Sequence, residues 1–287
     1  MSKPKNHHYV SQCHQKEFFD ESTKLIYLYD KELDNFYSKQ STKNLFSKEH
    51  LNSRQSVNGF DQETLEKELK VLFEDGFHKH VSQINEFLTN QDKMQDTYES
   101  LCWLTILGIL GEVRHPYYKR KIDEIMIEME SELLTRYYNL SKEKVKSYLR
   151  SQIKTPYENV ISYIEIAIRI LKKLEPLDFS IFSIESDDLF ILPDTSSFQL
   201  RGQLKKYSNK DVNEIIQVGV PITKKLYILG TPQSFKSGMH SIVREQNNNS
   251  DMVYQMNKDL YLFSKKTVAC SNELYLKKFI EKIKIGI

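Results

Sequence analysis

The chain has little of what marks a disulfide-stapled, membrane-embedded or nucleotide-binding protein. Its 287 residues hold 3 cysteines, 1 tryptophan, 9 glycines and 7 prolines. Cys13, Cys102 and Cys270 are odd in number, far apart and outside any paired motif, which argues against a disulfide framework and a structural zinc site. The longest apolar run, residues 101–110, is roughly half of the ~20 residues needed to cross a bilayer. No charged start followed by an apolar stretch precedes it as in a signal peptide. A membrane is therefore not an expected partner, and the cytoplasm is the expected location. Gly230-Thr231-Pro232 and Ser237-Gly238 lack the pattern of a phosphate-binding loop, so no nucleotide cofactor is expected. Charge of one sign is also missing: 41 Lys and Arg face 39 Asp and Glu, for a net charge of +2. Without a global basic field, any contact with nucleic acid has to be local.

Hydrophobic residues make up 39% of the chain, enough for a core beneath a well-solvated surface. Residues 25–29 suit a pleated surface, 30–34 are turn-like and 35–38 can return, which predicts a hairpin over 24–38. Asp61 suits a helix N-cap with Phe60 stapled onto Leu65. Leu65, Leu69, Leu72, Phe73, Phe77, Val81, Ile84 and Leu88 then keep one face apolar, with Gly76 as a bend. Residues 98–113 are apolar nearly all round, the mark of a central buried helix. Ile122, Ile125, Met126, Met129 and Leu133 signal the next helix, and Ser141 can cap another that runs through Leu149. Pro156 punctuates the pattern. A helix over 157–173, carrying Val160, Ile161, Ile164, Ile168 and Leu171, is stopped by Glu175-Pro176.

From residue 179 the period becomes that of strands, at 179–182, 189–192, 218–222 and 226–229. A loop at 247–250 then leads to helices over 252–264 and 272–284. Segregated blocks favour an α+β fold. The N-terminal hairpin and the later strands are expected in one mixed sheet packed against the central helical block. We read residues 1–287 as one domain: hairpin 24–38, helical block 61–174, strand-rich part 178–230 and C-terminal helices 251–285.

The opening Asn6-His7-His8-Tyr9-Val10-Ser11-Gln12 places two imidazoles, an aromatic ring and an amide close together. Histidine both gives and takes protons near neutral pH. This stretch resembles the start of a bacterial family known only as a domain of unknown function, whose members open with His-His-Tyr-Val-Pro-Gln and then an aromatic or leucine run ending in Phe. Here Ser11 stands at the proline position, and Cys13-His14-Gln15 precede Phe18 and Phe19. Further landmarks keep the family's order. Arg114-His115-Pro116 is similar to its Arg-x-Pro at the end of an apolar helix. Residues 190–194 are similar to its hydrophobic strand followed by Ser-Asp, with Pro193 at the Ser position. Val220-Pro221-Ile222 is similar to its Pro-Leu strand, and Met256-Asn257 to the Asn of its last helix. The resemblance spans nearly the whole chain. Some members lie among phage-defence genes, so it implies a defence role without supplying a mechanism.

The chemistry follows from which of these residues the fold brings together. Adjacent side chains diverge on a strand or a helix, so His7 and His8 do not share one task. An imidazole near Arg114 and Asp194 could act as general base or acid, with Asp194 fixing its tautomer and Arg114 neutralising a phosphate. That set suits metal-free phosphodiester cleavage, with an RNA 2'-hydroxyl as internal nucleophile. Gln12 and Asn257 are the expected orienting amides, and Lys43 a substrate contact. The competing reading is a non-catalytic sensor or interaction protein of phage defence in which the same polar residues brace the fold.

Expected partners are accordingly RNA, or else a protein or a second copy of the chain. No metal is expected: Glu74 and His78 share a helical face, but two ligands do not make a site. Lys265, Lys266, Lys277, Lys278, Lys282 and Lys284, near Tyr261, Phe263, Tyr275 and Phe279, form a local basic and aromatic concentration. On an amphipathic helix Leu276, Phe279, Ile280 and Ile283 would be buried and the lysines wet.

Overall fold

The computed structural model describes residues 6–286 apart from 57–58, 62, 91–93, 153–156, 158, 160–161, 203–213, 234–240 and 247–248. Pro156, Val160, Ile161, Ser237, Gly238 and the Asn247-Asn248 part of the expected loop lie outside the described residues, as does the side chain of Phe60. The chain opens with β1 (Asn6–His8) and α1 (Gln12–Lys16), followed by the hairpin β2 (Ile26–Asp30) and β3 (Asn35–Lys39). Then come β4 (Ser47–Glu49), which pairs antiparallel with β1, and the small hairpin of β5 (Arg54–Ser56) and β6 (Gly59–Asp61).

Asp61 ends that hairpin and accepts the backbone N–H groups of Glu63 and Thr64, which starts α2 (Thr64–Leu69). The expected single helix is then interrupted. Residues Lys70–Glu74 form a π-helical turn, and α3 (Phe77–Thr89) restarts after Gly76. The wider turn shifts the helical phase. Leu65, Leu69, Phe73 and Phe77 therefore stay buried, while Leu72 turns out and is 51% exposed.

The central helix α4 (Met94–Arg114) passes through the core. Its two glycines permit close approach: a Cβ on Gly111 would sit 2.3 Å from the Ser196 Cβ and 2.8 Å from the Thr195 carbonyl oxygen. One on Gly108 would meet Val220 at 2.6 Å. His115 breaks the helix in extended backbone, and its side chain accepts the Tyr117 N–H. Pro116 then begins α5 (Pro116–Tyr138), where its fixed φ suits the first turn and its missing N–H costs nothing. Helix α6 (Lys142–Gln152) packs back on α5. Helix α7 (Tyr163–Leu174) is capped by the Ser162 hydroxyl and packs on α4. The apolar stripe of α5 remains on the surface, because Ile127 and Ser131 are its buried residues over that stretch.

The strand-rich part supplies β7 (Leu177–Ser183), β8 (Leu192–Pro193), β9 (Phe198–Gly202), β10 (Glu214–Thr223), β11 (Leu226–Pro232) and β12 (Ile242–Gln246). Helix α8 (Ser250–Phe263), β13 (Thr267–Cys270) and α9 (Glu273–Gly286) complete the chain. The α+β class holds, with mixed sheets around a helical block. The strands are shared between two main sheets among the described residues. A five-stranded sheet, in order β12-β7-β11-β10-β9, lies on α4; β12 is parallel to β7 and the other pairs are antiparallel. The N-terminal hairpin does meet a later strand, but in a second sheet of order β3-β2-β13-β8. The division arises because β13 inserts between β2 and β8. It follows two hydrophobic cores, one of α2 to α4, α7 and the five-stranded sheet, the other of the hairpin sheet with α8 and α9. As expected for α9, Leu276, Phe279, Ile280 and Ile283 are buried.

Candidate functional site

The two histidines enter different networks because β1 points them to opposite sides. The His7 imidazole is fully buried, and its Nδ1 accepts the Asn52 N–H at 2.8 Å. His8 turns towards the short helical turn at Thr42–Asn44. Its Nε2 lies 2.8 Å from the Thr42 carbonyl oxygen, which requires that nitrogen to carry the proton. Nδ1 then faces the Gln12 side-chain amide at 3.4 Å, while the Gln12 carbonyl accepts the Thr42 hydroxyl at 2.7 Å. Burial lowers the His8 pKa, and the nearby Arg114 acts in the same direction, so the ring is neutral at pH 7.

Arg114 meets His8 through the main chain: its guanidinium donates to the His8 carbonyl oxygen and lies 3.7 Å from the Glu66 carboxylate. Glu74 is beside the same guanidinium; burial nevertheless raises its pKa. Next to this network Lys119 is fully buried on the first turns of α5. It donates to the Leu51 carbonyl at 2.8 Å and to the Asn52 and Asn159 side-chain oxygens, each at 2.7 Å, with its ammonium 4.2 Å from the Tyr163 ring centre. Burial pulls the Lys119 pKa well down. Lys43 contributes its main chain near His8, and its side chain is exposed.

Asp194 is not delivered to this network. Its carboxylate is fully buried and accepts the backbone N–H groups of Lys265, Lys266 and Thr267 at 2.8, 2.7 and 3.0 Å. Its side-chain partner is His115, whose Nε2 lies 3.5 Å away. Burial alone would raise the Asp194 pKa, but the His115 contact and the amides outweigh it and hold the carboxyl below its ordinary value. Asn257 braces another junction, donating to the Leu189 carbonyl at 2.8 Å and accepting the Ile191 N–H at 3.0 Å. Arg114 and His8 are thus brought together, Gln12 does orient His8, and Asp194 and Asn257 are engaged elsewhere. The cysteines are free thiols whose pKa values burial pushes up to about 11 for Cys13 and Cys270 and about 12 for Cys102, which leaves them protonated. Glu74 and His78 do not form a pair: the His78 ring is 3.8 Å from Glu17. Among the described residues no group of three or more His, Cys, Asp or Glu side chains is arranged to hold a metal ion.

A second cluster lies on the other side of the α4–α5 junction and reaches solvent. Glu112, 1% exposed near the end of α4, is 3.2 Å from the Arg201 guanidinium on β9. The Tyr118 hydroxyl is hydrogen-bonded to the same carboxylate. Burial raises the Glu112 pKa against the opposing pull of Arg201 and Tyr118, and Oε2 is buried without a hydrogen-bond partner among the described residues. Gln199, also buried, accepts from Arg201 through its carbonyl at 3.3 Å, and its Nε2 has no partner among the described residues. Above them Lys265 lies over the rings of Tyr117, Tyr118 and Phe263 at 5.4, 5.1 and 4.7 Å, and Lys121 caps the Tyr117 ring at 4.5 Å. Arg201 and Tyr117 are both more than 40% exposed.

This cluster combines a buried carboxylate, three cations and an open aromatic ring. Of its members, the sequence singles out only Lys265 and Phe263, both as part of the C-terminal concentration. The available signal was Glu112 itself, a carboxylate inside an otherwise apolar helix.

The fold is that of an α+β protein whose α4–α5 junction is lined on both sides by buried polar groups. Residues 6–273 match the family described as protein of unknown function (DUF4238), and the chain belongs to that family. No curated protein and no solved structure matches it. No described helix is long and apolar enough to cross a membrane.

Proposed function

We propose that this protein binds RNA at the Glu112–Arg201–Lys265 cluster and cleaves it without a metal. The observation that carries the reading is the pairing of a buried carboxylate of raised pKa, Oε2 unpartnered among the described residues, with exposed cations and an exposed tyrosine ring. Arg201 and Lys265 bind the phosphate, and Tyr117 offers a face on which a base can stack. Glu112 accepts the proton of the 2'-hydroxyl, the 2'-oxygen attacks phosphorus, and the 5'-oxygen leaves with a proton from Lys265. The products are a 2',3'-cyclic phosphate and a 5'-hydroxyl. In this scheme His8, Arg114 and Asp194 position elements without touching substrate. The defence setting belongs to the same proposal.

A specific observation favours a second reading, in which the chain is a non-catalytic RNA sensor: Glu112 is 1% exposed, and its neighbours could serve binding alone. The two readings part in one assay. End-labelled single-stranded RNA is incubated with the protein in the presence of a chelator, and binding is measured alongside. Cleavage that E112Q loses while retaining binding supports the nuclease. Binding without cleavage in the wild type supports the sensor. Absence of binding, or binding that R201A and K265A leave unchanged, overturns both.

A further inference from the structure

Helix α5 carries an apolar face that nothing among the described residues covers. Ile125, Met129 and Leu133 are 58%, 56% and 56% exposed, and Tyr137, one turn further on, is 83% exposed. Ile122 and Met126 lie between them and are half-buried. At 100° per residue these positions form one continuous stripe, on which Arg136 is the one charged interruption. The two neighbours of α5 do not reach it. Ile127 and Ser131 are buried towards the chain's interior, and Glu124, Glu128 and Glu132 bond to Arg150, Lys146 and Lys142 of α6. A long exposed apolar stripe of this kind marks an interface.

We infer that this stripe pairs with the same stripe of a second copy, the two α5 helices running antiparallel about a two-fold axis. The charges bordering it select that occupant. Lys121 and Glu132 are both exposed and lie about three turns apart, which puts them on one line along the same edge of the stripe. An antiparallel two-fold between them sets Lys121 of each copy against Glu132 of the other. A parallel two-fold would bring opposite edges of the stripe together and leave Lys121 away from Glu132. Glu132 can take this partner because its bond to Lys142 leaves it 50% exposed and Lys142 is also held by Glu128. The methionines suit such a seam, since their flexible side chains adapt to a facing helix. The inference does not rest on RNA binding, although Lys121 also caps Tyr117 in the cluster described above.

Sedimentation velocity over a wide concentration range tests it. The wild type is expected to sediment as a dimer, and M129E/L133E as a monomer with an unchanged melting temperature, because both side chains are on the surface. K121E and E132K should each weaken self-association by about tenfold, two symmetric contacts being reversed at once. The combined K121E/E132K should recover it. A wild type that stays monomeric overturns the proposal and leaves the stripe to a different protein. A dimer that survives M129E/L133E, or a double swap no better than either single one, overturns it as well.

Discussion

The two sides of the α4–α5 junction are built from the same residue types and dispose of their charge in opposite ways. On one side, His8, Arg114 and Lys119 are closed in, with His8 bonded to a backbone carbonyl and Lys119 to three oxygens. On the other, Glu112 and Gln199 keep buried polar atoms without partners among the described residues, beneath exposed Arg201 and a row of tyrosines. The first arrangement spends its polar groups on fixing loops to helices. The second leaves capacity for a ligand. Buried, satisfied polar networks rigidify a fold, whereas a partly satisfied one at the surface is where binding is found.

The sharpest way to break this comparison is through the bracing residues. Asp194→Ala strands three backbone N–H groups, that of Thr267 buried, and the His115 ring, and should cost about 4 kcal/mol in chemical denaturation. Lys119→Met keeps most of the side-chain volume but takes the ammonium donor from the Asn52 and Asn159 oxygens and leaves the Leu51 carbonyl with the Asn159 amide alone, for a loss of about 3 kcal/mol. A neutral outcome at either position would deny the brace.

Acid sharpens the same point. His14 is buried, its Nε2 bonded to the Pro221 carbonyl, and burial lowers its pKa from 6.5 to about 4. The unfolded chain takes up that proton first, so stability is complete above about pH 6.5 and declines as pH falls towards 4, by about 3 kcal/mol in all. Burial lowers the His8 pKa too, and its contribution has the same sign. Denaturation curves across that window should show the decline, and His14→Gln should flatten it. The smallest effect is expected at the open side: Arg201→Ala should change stability by less than about 1 kcal/mol, because its side chain is 45% exposed and the ion pair is screened by solvent.

What the sequence discloses of this fold is what local patterning controls. The hairpin at 24–38, the all-round apolar α4, its end at Arg114-His115-Pro116 and the buried stripe of α9 all follow from spacing within one element. The insertion of β13 does not, because Thr267–Cys270 is a short run buried at every position and shows no alternation to read. The π-turn at Lys70–Glu74 and the outward swing of Leu72 likewise depend on packing. Lys119 lies in a Lys-Arg-Lys run that reads as a wet surface, yet its fold position buries it completely. The candidate site was the least legible part. Glu112 and Arg201 are far apart in the chain, and only the close approach of α4 to the Thr195–Ser196 turn, through Gly111, brings them together.

The account stands most directly on E112Q, measured for RNA cleavage and melting together. It predicts a loss of cleavage of at least about a hundredfold, with melting close to that of the wild type. Full cleavage by E112Q, or its loss instead in a His8→Gln variant that folds normally, would contradict it and return the chemistry to the closed side of the junction.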